Sequence, residues 1–130
     1  MPKWDTDTVA RQLVADGRVN IAFQHELETT RQRIDTLLSK LLTHGNSLVR
    51  EVAATILGER RKPNSIPALI TALADKSQHV RWDALVAIEK CAGLSPGELS
   101  VVLGLTPTRP RIMKSRVEAW WKIVGSDLLA

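Results

Sequence analysis

Residues Asn46 to Leu57 return 31 positions later as Ser77 to Ile88, and this recurrence constrains the fold more than any other feature of the chain. Val49-Arg50 maps onto Val80-Arg81, Ala53 onto Ala84 and Leu57 onto Ile88. The segments in front match at one position more, Ile34 with Ile66 and Leu41 with Leu73. Further on, Arg116-Val117-Glu118-Ala119 echoes Arg50-Glu51-Val52-Ala53 and Arg81-Trp82-Asp83-Ala84, so an R-x-x-A spacing enclosing an acidic residue occurs three times. A unit this short cannot bury its own apolar face, so consecutive copies must cover one another.

Each copy has helical periodicity. With one phenylalanine and no tyrosine, the chain lacks the aromatic and β-branched runs that announce strands. Asp5 is placed to cap a first helix carrying Val9, Leu13 and Val14, with Gly17 as its stop. Phe23, Leu27, Ile34, Leu38 and Leu41 then mark one face of a long helix, with a bend expected near Thr29 and Thr30. The next helix starts at Asn46 or Ser47, frays from Gly58 and ends at Pro63. Ser65 is the expected cap of a short helix with Pro67 in its first turn and Leu69, Ile70 and Leu73 buried. Val80, Ala84, Leu85, Ala87 and Ile88 form the apolar face of the helix that Gly93 closes. Ser95 and Glu98 have capping-box spacing and open a helix with Leu99, Val102 and Leu103. Pro110 begins a last helix carrying Ile112, Val117, Trp120, Ile123 and Val124, with Trp120 inward, that Gly125 is expected to end. The reading is an all-α chain of six to seven helices.

The repeated motif has a physical meaning. An arginine near a helix N-terminus opposes the positive end of the helix dipole, a mismatch of ~0.3–1 kcal/mol. Its recurrence at Arg50, Arg81 and Arg116 therefore implies a carboxylate partner, with Asp75, Asp83, Glu51 and Glu118 as candidates. Ala53, Ala84 and Ala119 are small where a neighbouring helix comes close. Burying aliphatic side chains at ~1.5–3 kcal/mol each stabilises the stack only where the next copy covers them.

The run Leu69-Ile70-x-Ala72-Leu73-x-Asp75, followed by Val80-Arg81-x-x-Ala84, resembles the HEAT repeat in a short form of about thirty residues, as in the HEAT-like repeats of phycobilin lyases. The resemblance runs from Ile34 to about Ile88, loosely on to Gly125, and leaves the first thirty residues outside. It implies a right-handed α-solenoid of stacked helical hairpins whose second helices line a concave face. The expected organisation is one domain, 1–130, with an N-terminal helical cap at 1–30 and repeats at 31–62, 63–93 and 94–125. His44 stands where the matching position of the next copy has Asp75, so a ladder of inter-repeat contacts should be incomplete at the first repeat.

Catalysis has no visible carrier. His25-Glu26 lacks the second histidine of a zinc helix, and no metal or cofactor is expected. Cys91 is the one cysteine, too few for an internal disulfide or a zinc cluster, and the residues around it supply no histidine dyad. No basic stretch followed by a long apolar run opens the sequence, and no segment approaches the ~20 apolar residues of a membrane span. A cytoplasmic, non-enzymatic protein is expected.

The tryptophans carry the functional expectation. With positions 80, 84, 85 and 88 in the core, Trp82, Val86 and Glu89 or Lys90 project from another face of the same helix. The matching residues one copy earlier, Glu51 and Thr55, are polar, so Trp82 and Val86 read as apolar anchors for a protein partner. Trp121 with Lys122 would extend that strip, with Trp120 turned inward and Trp4 capping the first helices. Two alternatives compete. The net charge of +4 lies wholly after residue 45, with Arg109, Arg111 and Lys114 among the cations, as a nucleic-acid surface would have it. A lyase-type tetrapyrrole chaperone follows from the family analogy alone. A short stack with an open end also permits a homodimer.

Overall fold

The structure, a computed structural model, describes Asp7, Thr8, Arg11, residues 21–106 and residues 108–130, with backbone alone at 21–23. Of the expected first helix, Asp7, Thr8 and Arg11 are helical, whereas its apolar residues Val9, Leu13 and Val14, its cap Asp5, its stop Gly17 and the capping role of Trp4 lie outside the described residues. The chain divides into two compact units, 1–34 and 35–130. Helix α1, Ile21–Leu41, carries the boundary between them.

In the first unit, Arg31 Nη2 meets Asp7 Oδ1 at 2.7 Å, and Arg31 Nη1 lies 3.7 Å from Glu28. Thr29 and Thr30 donate their hydroxyls to the carbonyls of His25 and Glu26, each at 2.9 Å, and the helix runs unbroken through the expected bend. Such back-bonding satisfies a threonine inside a helix without opening it.

The second unit comprises the end of α1, then α2 (Ser47–Arg60), a 3-10 turn (Pro63–Ser65), α3 (Ile66–Ala72), α4 (Gln78–Cys91), α5 (Glu98–Leu103) and α6 (Pro110–Leu129). Among the described residues there is no strand, and the fold is all-α. Asn46, extended at φ −89°, accepts the Leu48 N–H at 2.8 Å and starts α2. The end of α2 differs from expectation: Arg61 adopts a left-handed φ of 54°, donates its N–H to Gly58, and closes the helix before Pro63 opens the 3-10 turn. Ser65 is buried and makes no side-chain cap bond. At α5, Glu98 reaches back to the Ser95 N–H at 2.8 Å as a capping box requires, but the helix begins at Glu98 itself, after Gly97 at φ 81°. Helix α6 runs through Gly125 to Leu129, because Gly125 is buried under the Trp121 indole rather than at a turn.

Helices α2 and α4 lie side by side along most of their length, and α3 folds back on α4. Ala53, Ala54 and Leu57 of α2 meet Val80, Ala84, Leu85, Ala87 and Ile88 of α4 in one core, with Ile66, Leu69, Ile70 and Leu73 of α3 behind them. Val80 is fully buried and its counterpart Val49 half-buried. Gly58 fixes the closest approach. A Cβ there would stand 2.8 Å from Ala87 Cα and 2.9 Å from Ala87 Cβ. What reads in the sequence as a fraying point is a contact between two backbones.

The three arginines share one job. Arg50 donates Nη1 to the carbonyls of His44 and Gly45 at 2.8 and 3.2 Å, Arg81 donates Nη1 to the carbonyl of Asp75 at 2.7 Å, and Arg116 donates Nη1 to Leu103 and Gly104 at 3.0 and 2.9 Å. Each satisfies carbonyls left over where the preceding helix ends. The expected carboxylate is found at Arg50, which binds Asp75 through Nε (2.8 Å) and Nη2 (3.1 Å), with the two side chains 6% and 10% exposed. Asp75 also accepts the Ser77 N–H at 2.9 Å, and His44 Nδ1 accepts the Asn46 N–H at 3.0 Å in the same turn of the preceding copy. His44 thus keeps the turn bond of the aspartate it replaces. The third copy departs further. Ala119 is exposed where Ala53 and Ala84 are buried, because α6 starts earlier relative to its arginine and packs on α3 and the 3-10 turn through another face, with Met113 and Val117 buried.

Two stability measurements follow. Gly58→Ala should cost ~1–3 kcal/mol in urea denaturation, whereas Gly45→Ala, with nothing within 4 Å of the added Cβ, should stay near wild type. Asp75→Ala should cost about 3–5 kcal/mol by leaving the Arg50 guanidinium buried without its carboxylate, and adding Arg50→Met should recover part of the loss.

Candidate functional site

Between α2 and α4 lies a groove of about 160 Å³ lined by Thr55, Gly58, Trp82, Asp83, Val86, Ala87 and Lys90. Its floor exists because Gly58 lacks a side chain and lets α2 settle on Ala87. Trp82 stands at its edge, 54% exposed, while its neighbours Ala84 and Leu85 are buried. Val86 is half-buried. Lys90 forms an ion pair with Glu59 of α2, and that hydrogen bond and charge hold the Glu59 carboxyl below its ordinary range.

Asp83 also lines the groove. Burial lifts the Asp83 carboxyl above its ordinary range, the charge of Glu51 on α2 lifts it further, and His79 acts in the opposite direction. Among the described residues no lysine or arginine forms an ion pair with either carboxylate. Cys91, at the end of α4, is buried, donates to the Leu57 carbonyl at 3.5 Å, and has its thiol pushed up to about 11 by that burial. A thiol so protonated is a packing group.

Of the residues singled out in the sequence, the structure brings Trp82, Val86 and Lys90 to one groove. Trp121 and Lys122 are not among its lining residues. Trp121 is half-buried on α6 with its ring 6.2 Å from that of Trp120 and its indole against Gly125, and Lys122 is exposed. Trp120, expected inward, is half-buried against the core. Glu89, expected beside Lys90 on the open face, is buried and accepts the Leu99 N–H at 2.9 Å, so it caps α5 from the neighbouring helix. Its signal was present: Glu89 stands one helical turn after the core residue Leu85. Gly58 was missed, and Asp83 and Glu51, read as candidate partners of the repeated arginines, were not expected to act on one another, since each of these roles comes from a neighbour one copy away.

Many of the cations are engaged. Arg60 pairs with Asp35, Lys114 lies 3.7 Å from Glu118, and Arg50 and Arg116 are bound as described. A larger cleft of about 560 Å³ opens between the turns around His44 and Lys76, with the Arg50–Asp75 pair in its wall. On α2, Leu48, Val52 and Ile56 are exposed at helical spacing. Among the described residues no three His, Cys, Asp or Glu side chains are grouped to hold a metal, and no helix is long and apolar enough to cross a membrane.

A family model for HEAT repeats matches residues 34–119. Neither the curated proteins nor the solved structures give a match. HEAT repeats commonly serve as scaffolds for protein interactions and are generally of a non-enzymatic type.

The charge arrangement at Asp83 generates a prediction with a defined sign. A carboxyl raised in the folded state binds its proton more tightly there than in the unfolded chain, so ionised Asp83 lowers stability above its folded pKa, and the penalty is relieved as pH falls through that value. Asp83→Asn should therefore raise the Tm at neutral pH, and the gain over wild type should shrink as pH falls through the carboxylate range, read by thermal unfolding in a pH series.

Proposed function

The chain belongs to the HEAT-repeat family, and from that premise we propose that it is a non-enzymatic scaffold or adaptor that binds another protein through the groove between α2 and α4. Trp82 and Val86 are its apolar anchors and Lys90, held by Glu59, its charged rim. On this reading the repeats are 31–62, 63–93 and 94–125, with 1–30 as an N-terminal cap. Trp121 and Lys122 are outside the contact set because they do not line the groove.

The observation that carries the reading is the exposure of the Trp82 indole beside a groove formed by two repeat helices. A large aromatic ring left in water forgoes ~1.5–3 kcal/mol of burial. Tryptophan is enriched among interface hot spots, and here it borders a groove lined by small and polar residues. Trp82→Ala should leave the Tm within about 2–4 °C of wild type, since an exposed side chain contributes little to the core, and should cut captured partner by at least tenfold in quantitative affinity capture from native lysate. Unchanged capture with an intact fold would refute the anchor.

A further inference from the structure

At the turn from α5 to α6 the chain encloses a cleft of about 310 Å³. Leu105 and Met113, both buried, are its apolar part, and Thr106, Thr108, Arg109 and Arg116 line the rest. No carboxylate lines it among the described residues. The sequence explains why: between Glu98 and Glu118 it holds Arg109, Arg111, Lys114 and Arg116 and no acidic residue. Lys114 lies 3.7 Å from Glu118, but Arg109 forms no ion pair among the described residues. Arg116 is fixed by Nη1, which donates to the carbonyls of Leu103 and Gly104, while its Nε and Nη2 donate to nothing among the described residues. Thr108 donates its hydroxyl to that of Thr106 at 3.4 Å, which leaves the Thr106 hydroxyl to donate in turn. Two guanidinium groups at one cleft with no anionic side chain between them raise the local positive potential, and an entering anion relieves it.

From this arrangement we infer that the cleft binds a phosphate monoester, with Arg109 and Arg116 donating to its oxygens and the Thr106 hydroxyl to a further one. The cleft shares no lining residue with the α2–α4 groove, so the inference stands apart from the protein-binding reading. Guanidinium edges present paired N–H groups that match phosphate oxygens, and a fixed Arg116 enters such a contact with less ordering to pay. A monoester brings a charge of about −1.5 to −2 at neutral pH and three acceptor oxygens, enough for both arginines and a hydroxyl. A carboxylate brings one charge and two oxygens and leaves part of this set unmet. A nucleic-acid backbone spreads single charges along a strand and calls for a row of cations, whereas here both guanidinium groups line one bounded cleft.

The test is NMR titration of the full chain, labelled with nitrogen-15, at fixed salt. The probes are a Gly/Ser peptide with one central phosphoserine, the same peptide unphosphorylated, inorganic phosphate, and oligothymidylate, whose phosphates are diesters. The proteins are wild type, Arg109→Gln, which alters an exposed side chain, and Arg116→Lys, which keeps the charge but not the fork. The phosphopeptide should shift the N–H signals of Leu105, Thr106, Thr108 and Ile112, and the unphosphorylated peptide should leave them in place. Arg109→Gln should keep the wild-type Tm and weaken phosphopeptide binding about tenfold, the loss of one charge-assisted hydrogen bond. Arg116→Lys should weaken it too. Inorganic phosphate should move the same signals: equal affinity for it assigns the cleft to small phosphorylated molecules, and tighter binding of the phosphopeptide assigns it to a phosphorylated segment. Shifts confined to other residues, unchanged affinity in Arg109→Gln, or oligothymidylate bound more tightly than the phosphopeptide through these signals would each overturn the inference.

Discussion

The second unit depends on one buried ion pair. Arg50 spends Nε and Nη2 on Asp75 and Nη1 on the carbonyls of His44 and Gly45, so a single guanidinium joins the turn of its own hairpin to the turn of the next. Burying both charges costs several kcal/mol per ion, and the pair is tolerable because every guanidinium nitrogen and both carboxylate oxygens have hydrogen-bond partners. Its return is register. An apolar interface of alanines and leucines slides by a helical turn at small cost, whereas a bidentate pair with flanking turn bonds does not. Arg81 and Arg116 each repeat the carbonyl half of this device.

That register decides what stands opposite what along α2 and α4. It sets Gly58 on Ala87, Glu59 on Lys90 and the Leu57 carbonyl on Cys91 Sγ, and it places Glu51 near Asp83. The close approach makes the groove floor, the ion pair of Lys90 with Glu59 stands at one end, and Asp83 lines the other. Structural pairing and the candidate site are thus one set of contacts. A change in the Arg50–Asp75 pair would disturb the groove without touching any residue that lines it.

What could be read in the sequence follows from how local each contact is. The helical periodicity, the 31-residue recurrence and the need of the repeated arginines for a carboxylate were legible because each rests on residue type and spacing alone, whereas the choice of Asp75 for Arg50 among four candidates was not. The projection of Trp82, Val86 and Lys90 from the core face followed from the angle per residue in a helix. Helix ends were less legible. Arg61 closes α2 in a conformation that favours glycine, and Gly125, a stop by composition, is instead a seat for the Trp121 ring. Gly58 and Glu89 were opaque for one reason: a glycine that touches another backbone and a glutamate that caps another helix look, in one dimension, like a fraying point and a solvated charge. Periodicity says which face is buried, but not which neighbour lies across it.

The departure of the third copy limits how much surface the repeats present. A third inner helix parallel to α4 would continue the α2–α4 groove into a long channel, as the R-x-x-A spacing suggests. Helix α6 keeps the arginine bond to the preceding turn but starts earlier, turns Met113 and Val117 inward, leaves Ala119 in water, and packs on α3 and the 3-10 turn. Small residues that let α2 and α4 approach are replaced along α6 by two tryptophans that fill space against the core. The inner row described here is therefore two helices wide, with one groove. On the protein-binding reading, affinity has to come from one well-filled side-chain pocket and its charged rim, since an extended channel that shares binding energy over many weak contacts is not built.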